Sequence, residues 1–182
     1  MSGRSSALAA ARYAASFALA LALIACNRST SCDSDQPSVL SFASAKMRVI
    51  TAADTLRILT ELARTSEQQT LGLMERKCLA DTAGMLFVYA KDQPASAGFW
   101  MFRTLIPLDI AFMDSTGGIR AIQHMVPCTA TLVQGCQSYD PGVPYRAAVE
   151  MNAGYFSQHR VVLGDRMLLA DTSRLVKGIS PR

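Results

Sequence analysis

The sequence predicts a mostly-β domain, a β-sandwich or barrel-like body with one or two short helices packed on it. Three observations lead there. Short apolar or alternating runs recur between residues 55 and 169. Turn chemistry separates them, at Asp114-Ser115-Thr116-Gly117-Gly118 and at Asp140-Pro141-Gly142-Val143-Pro144. Strands outnumber helices, and no β-α-β rhythm of the kind that builds a parallel sheet is evident.

The chain opens with an address. Arg4 and Arg12 make a positive region, and Tyr13 to Asn27 runs without a charge. A spanning helix needs about 20 apolar residues, so this run reads as the apolar segment of an export signal. Leu23-Ile24-Ala25-Cys26 closes it and resembles the lipobox of bacterial lipoproteins. That resemblance implies removal of residues 1–25 and acylation of the Cys26 thiol, with the lipid bilayer as partner. Asn27, rather than Asp, follows the cysteine, which by the same resemblance implies an outer-membrane anchor facing the periplasm. Residues 26–45 are rich in Ser and Asp and read as a tether. A single β-rich domain is expected over 46–172, followed by a polar tail over 173–182.

The chain holds 18 Lys+Arg against 14 Asp+Glu, a formal charge of +4. With no basic cluster, this gives no electrostatic footprint for nucleic acid. After Cys26, four cysteines remain (Cys32, Cys78, Cys128 and Cys136), an even number for an oxidising compartment. Cys128 and Cys136 close a short loop and are expected to be bridged. Cys32 and Cys78 can pair or stay free. The rival, a metal site on His124, Cys128 and Cys136, matches no familiar zinc spacing. No metal and no cofactor are therefore expected.

In the folded part, Thr55–Leu62 alternates as a strand. Thr65-Ser66-Glu67-Gln68 is a capping box and starts a helix, expected to run to about Glu75 despite Gly72. Gly84–Tyr89 and Gly98–Phe102 are apolar runs of strand length. Leu108–Met113 alternates, turns at Asp114–Gly118, and Ile119–Val126 returns as its partner. Tyr145–Met151 alternates again, Ala153–His159 suits a short helix, and Val161–Leu169 reads as strand, turn, strand.

Several of these stretches together resemble domain-of-unknown-function family 192. The residues that carry the resemblance are Gly72-Leu73-Met74-Glu75-Arg76, Gly84-Met85-Leu86-Phe87, Phe99-Trp100-Met101 and Ile106 to Phe112, then Glu150, Ala153-Gly154 and Gly164-Asp165. The resemblance covers roughly residues 55–169. It implies a compact β-sandwich, often exported or membrane-anchored, and no known reaction. One departure stands out: the family carries Lys-Asn or Arg-Asn where this chain has Phe102-Arg103, between Met101 and Thr104.

The candidate ligand-binding residues are Trp100, Arg103, Asp109 and Glu150. Arg103 and Asp109 bracket a turn, as a structural ion pair or, with Glu150 and Arg146, as a polar cleft able to grip a carboxylate or sugar. Trp100, beside Phe99 and Phe102, belongs to the core or lines a groove. Glu150 is expected on the more polar face of its strand. Asp109, Glu150 and Asp165 are the carboxylates available for glycoside cleavage, although Asp165 better suits a turn. His124 and His159 stand alone, and Met74 suits packing. No nucleophile elbow, zinc-protease, P-loop or dinucleotide motif is present. The expected function is a non-enzymatic ligand-binding or assembly module of the envelope, with a small molecule or saccharide as ligand. The alternatives are a hydrolase of a saccharide or cell-wall fragment using Asp109 and Glu150, and an accessory factor docking to another envelope protein.

Overall fold

The computed structural model describes Cys32 and residues 40–170. The export signal, Cys26, most of the tether and the polar tail lie outside the described residues.

The chain forms seven strands, β1 (Ala43–Ile50), β2 (Thr55–Ala63), β3 (Ala83–Gln93), β4 (Leu108–Met113), β5 (Ile119–Met125), β6 (Tyr145–Asn152) and β7 (Arg166–Leu169), of which all but β1 fall in segments read as strands. Two short helices accompany them, α1 (Ser66–Leu71) and α2 (Tyr155–Gln158). The strands form one seven-stranded sheet in the order β5-β4-β6-β3-β2-β1-β7. It is mixed, because β2 and β3 run parallel and every other pair is antiparallel. The mostly-β, sandwich-like expectation holds, and the sheet is not closed into a barrel.

The sheet has a hydrophobic core on each face. The first core gathers Met47, Val49, Ile58, Leu62, Leu86, Ala111, Met113, Ile119, Val149, Met151 and Met167, so every strand contributes. Tyr155 and Phe156 of α2 complete it. The second core gathers Leu73, Met85, Phe87, Met101, Leu108, Ile110, Phe112, Tyr139 and Tyr145. Side chains alternate across a strand, so β4, which is buried along its whole length, feeds both cores at once.

Several sequence expectations need correction. β1 begins at Ala43, inside the stretch read as tether, and pairs with β2 over its full length. The helix opens at the expected capping box: the Gln68 amide donates to the Thr65 hydroxyl, and the Thr65 amide donates to Oε1 of Gln68. It stops at Leu71, however, because Gly72 takes φ +49° and leaves the helical path. This helix lies in the connection between the parallel strands β2 and β3, so the chain does contain one β-α-β crossover. Gly98–Phe102 is a loop. Phe99 bridges to Tyr139 and Phe102 to Cys128, two different partners, so no ladder forms. Val161–Leu163 makes no strand either; Asp165 accepts the Val162 amide at 2.8 Å and holds that segment in a turn.

The hairpin β4–β5 forms as read. Asp114 accepts the amides of Thr116 and Gly118, and the Thr116 hydroxyl with them holds its carboxyl below the usual range. Cys128 and Cys136 are bridged, with Cα atoms 5.6 Å apart, and Cys32 pairs with Cys78 at 5.8 Å. Among the described residues no helix is long and apolar enough to cross a membrane.

Candidate functional site

A cavity of about 280 Å³ opens on the second face of the sheet. The sequence dictates its walls. The capping box fixes the start of α1, and the Gln69 side chain donates to the carbonyls of Val88 (3.0 Å) and Ala63 (3.4 Å), which lays the helix over β2 and β3. Ser66, Gln69 and Thr70 thereby form one wall, with Gly72, Leu73 and Met74 beyond them. Ala97–Trp100 and Thr104 form the opposite wall. That loop is pinned by the bridges at Phe99 and Phe102, by the Cys128–Cys136 disulfide next to the second bridge, and by the Tyr145 hydroxyl, which donates to the Ala97 carbonyl at 2.9 Å. The floor is the sheet itself, through Phe87 and Tyr89 of β3 and Tyr145 and Glu150 of β6.

Five aromatic residues meet here. Phe87 and Phe99 pack edge to face at 4.9 Å, and so do Tyr89 and Tyr145 at 5.6 Å. Trp100 is 43 % exposed and sits at the rim. Of the two readings of Trp100, the structure therefore favours the groove over the core.

Glu150 is 4 % exposed, and among the described residues it has no hydrogen-bond or ion-pair partner. Burial alone pushes its pKa up to about 8, with no neighbouring donor to hold it down. The carboxyl is thus mostly protonated at neutral pH. Burial also raises Tyr89 and Tyr145, Tyr89 the further because Tyr145 and Glu150 crowd it. No Lys, Arg or His lines the cavity.

The two loops on either side of the cavity are clamped to each other. The Glu75 amide donates to the Arg103 carbonyl at 2.8 Å, and Nε of Arg103 meets Oε1 of Glu75 at 2.7 Å. Both residues are left-handed, Glu75 at φ +60° and Arg103 at φ +55°. Asn tolerates that conformation better than Arg, which explains physically why an Asn suits the position that Arg103 occupies. Behind the clamp, Arg76 is anchored by Glu61 at 2.7 Å.

Of the expected site residues, the structure brings together Trp100 and Glu150 only. Arg103 pairs with Glu75, not with Asp109. Asp109 is buried on the first face. Its Oδ1 lies 2.8 Å from Nδ1 of His124, and its Oδ2 accepts the Gly154 amide at 2.8 Å, so it ties β4 to β5 and to the start of α2. Arg146 pairs with Asp92. No common polar cleft of Arg103, Asp109, Glu150 and Arg146 exists.

The carboxylate pair fails on the same ground. Ile110 faces Glu150 across β4–β6 and Met151 faces Asp109, so the register sends Asp109 and Glu150 to opposite faces of the sheet. Glu150 itself lies in the second core and not on a polar face. The metal alternative fails because Cys128 and Cys136 are bridged to each other and His124 is engaged by Asp109. Among the described residues, no group of three or more His, Cys, Asp or Glu is placed to hold a metal ion.

Tyr89, Tyr145 and Gln69 were not legible as site residues. Strict alternation puts Tyr145 and Glu150 on opposite sides of β6. Both reach the cavity because the β3–β6 pairing is irregular between Val88 and Gln93. The one available signal was the polar-tipped Tyr89 at the end of an apolar run.

Fold and site together define a small, single-sheet β domain with one aromatic cavity built over a buried acid. Residues 48–169 match the family model DUF192, described as uncharacterized, and the chain belongs to that family. Gly72, Met74, Phe87, Phe99, Trp100 and Glu150, all from the stretches that carry the family resemblance, line the cavity. Two crystal structures are similar. A protein from Sinorhizobium meliloti 1021, provisionally assigned as a transcription regulator, shares 34 % identity over 73 % of this chain and 98 % of its own, with a TM-score of 0.65. A protein of unknown function from Novosphingobium aromaticivorans DSM 12444 shares 30 % identity over 72 % of this chain and 89 % of its own, with a TM-score of 0.62. Among curated proteins, none matches the chain.

Proposed function

We propose that this protein is a non-enzymatic ligand-binding module of the bacterial cell envelope, tethered through an acylated Cys26 at the outer membrane and facing the periplasm. One observation carries the binding role: Glu150 is an unpartnered, buried carboxyl at the floor of a cavity that is otherwise aromatic and polar. Among the described residues no fully buried side-chain oxygen lacks a hydrogen-bond partner, so the Glu150 carboxyl opens on the cavity, where a ligand can reach it. A cavity of about 280 Å³ lies just under the range of drug-sized sites, which suits a small molecule. The opening segment, with its positive region, short apolar run and lipobox-like end, supports the tether. The two cysteine pairs at bridging distance support an oxidising compartment.

Mass spectrometry of the native product tests the anchor. A chain beginning at a triacylated or diacylated Cys26 is expected; an intact Met1 or an unmodified thiol removes the envelope reading. A thermal-shift screen of small metabolites against the wild type and a Trp100→Ala variant tests the binding role. A ligand that stabilises the wild type and not the variant supports it, and a screen without any shift counts against it.

A second reading, an accessory factor docking to another envelope protein, draws on exposed Leu105, Val126, Leu132 and Val133. They lie on the loops joined by the Phe102–Cys128 bridge. A role in transcription has less support, because α1 and α2 have six and four residues, too short for a groove-reading helix.

A further inference from the structure

The cavity has a chemical polarity that narrows its ligand. This inference rests on the ligand-binding reading above and deepens it. We infer that the site takes a small organic cation, an ammonium group seated against the Glu150 carboxylate and surrounded by Phe87, Tyr89, Phe99, Trp100 and Tyr145.

Three features of the geometry converge. The only carboxyl in the lining is that of Glu150, and no lining residue carries a positive charge, so the site has an unpartnered carboxyl and nothing to hold an anion. A carboxylate ligand, of the kind a cleft of Arg103 and Arg146 would grip, is disfavoured for the same reason. Second, the aromatic rings are contiguous. Phe99 lies 4.9 Å from Phe87 and 6.5 Å from Tyr145, and Tyr145 lies 5.6 Å from Tyr89, centroid to centroid. Rings of this set line the cavity, and the quadrupole of an aromatic ring attracts a cation most strongly where water is excluded. Third, two polar groups of the lining that a sugar could use are already engaged. The Gln69 amide nitrogen is engaged by two carbonyls, and the Tyr145 hydroxyl donates to Ala97.

A cationic ligand solves the problem that Glu150 poses. Alone, the buried carboxyl keeps its proton, and burial is what raises it. When an ammonium group arrives, the carboxyl ionises, the proton leaves to solvent, and the two opposite charges share one dehydrated site. The other titratable groups facing Glu150 are the phenols of Tyr89 and Tyr145, and burial keeps both neutral across this range. Binding should therefore release close to one proton at neutral pH and tighten as pH rises.

Calorimetric titration of the full chain tests this with four probes: tetramethylammonium, n-butylammonium, the uncharged n-pentanol, and N-acetylglucosamine. The expected result is binding of at least one cation more than about tenfold tighter than either uncharged probe, a gap that corresponds to a single favourable charge contact. Affinity is expected to rise about tenfold per pH unit from pH 6 to 7 and to level off above pH 8, with proton release visible as a dependence on the buffer's ionisation enthalpy. Glu150→Gln, which is isosteric with the neutral acid and should fold, is expected to lose this affinity and its pH dependence. Trp100→Ala, at the exposed rim, is expected to weaken it at every pH. If an uncharged probe binds as well as the cations, the charge assignment is overturned while the ligand-binding reading stands. Cation affinity that survives Glu150→Gln overturns the placement. If none of the four probes binds, both readings fail.

Discussion

Replacing Glu150 by Gln in the ligand-free protein measures how much stability the cavity floor costs. The folded carboxyl holds its proton up to about pH 8, whereas in the unfolded chain it loses it near 4.5. The folded state therefore binds more protons between these values, and stability falls as pH rises through that window. Below about pH 4.5 the carboxyl is neutral in both states and contributes no penalty. Above about pH 8 the penalty is complete, and at about 1.4 kcal/mol per pH unit it approaches 5 kcal/mol as an upper bound. Gln cannot ionise and escapes it. For a domain of this size, 1 kcal/mol moves Tm by roughly 4 °C, so the variant should match the wild type near pH 4 and exceed it by roughly 10–20 °C at pH 9. Thermal melts followed by circular dichroism at half-unit steps give the two curves. All other titrating groups are common to both proteins and cancel in the difference. Parallel curves from pH 4 to 9 would refute the assignment of a proton to the buried carboxyl.

Three further outcomes follow from the same geometry. Arg103→Asn should raise stability by about 0.5 kcal/mol in urea titrations: it eases a left-handed residue and gives up an ion pair that is more than half exposed on both sides and so worth little. Asp109→Ala should lower stability by about 2–3 kcal/mol without changing ligand binding, because the Gly154 amide and the His124 ring lose their shared acceptor on the face opposite the cavity. Replacing Cys128 and Cys136 together by Ser should cost about 2.5 kcal/mol for a closed loop spanning 8 residues, and should also weaken binding, since the loop wall is pinned beside that bridge.

The local features were legible from sequence and the non-local ones were not. The capping box at Thr65, the Asp114–Gly118 hairpin and the Cys128–Cys136 loop each depend on residues a few positions apart. Their chemistry is therefore visible in the string. β1 escaped because its burial pattern is mixed along Ala43–Ile50, with only Met47 and Val49 fully buried. The parallel β2–β3 pairing escaped because it depends on a crossover through residues 64–82, and no local pattern encodes a pairing across that distance. The site divides along the same line. Trp100 and Glu150 were legible as chemistry-bearing residues in apolar runs, of which that of Trp100 proves to be a loop. Alternation alone correctly sets Asp109 apart from Leu108 and Ile110. What alternation cannot supply is which strand lies beside which. The Asp109–Glu150 pairing was lost to the β4–β6 register, and the Arg103–Asp109 pairing to distant partners, Glu75 for Arg103 and His124 and Gly154 for Asp109.

The meeting of the outermost strands bears on how the protein survives in company. Gly118, just before β5, bridges Arg166 of β7, and the Ile119 and Met167 amides are satisfied by Asp165 and Gly117 across that seam. Gly117 permits it, since a Cβ there would lie 2.4 Å from the Met167 carbonyl oxygen. At this end, each outer strand spends its backbone valences on the other. A stray polypeptide seeking to extend the ladder finds those positions already taken, which guards a crowded population of such molecules against zippering together.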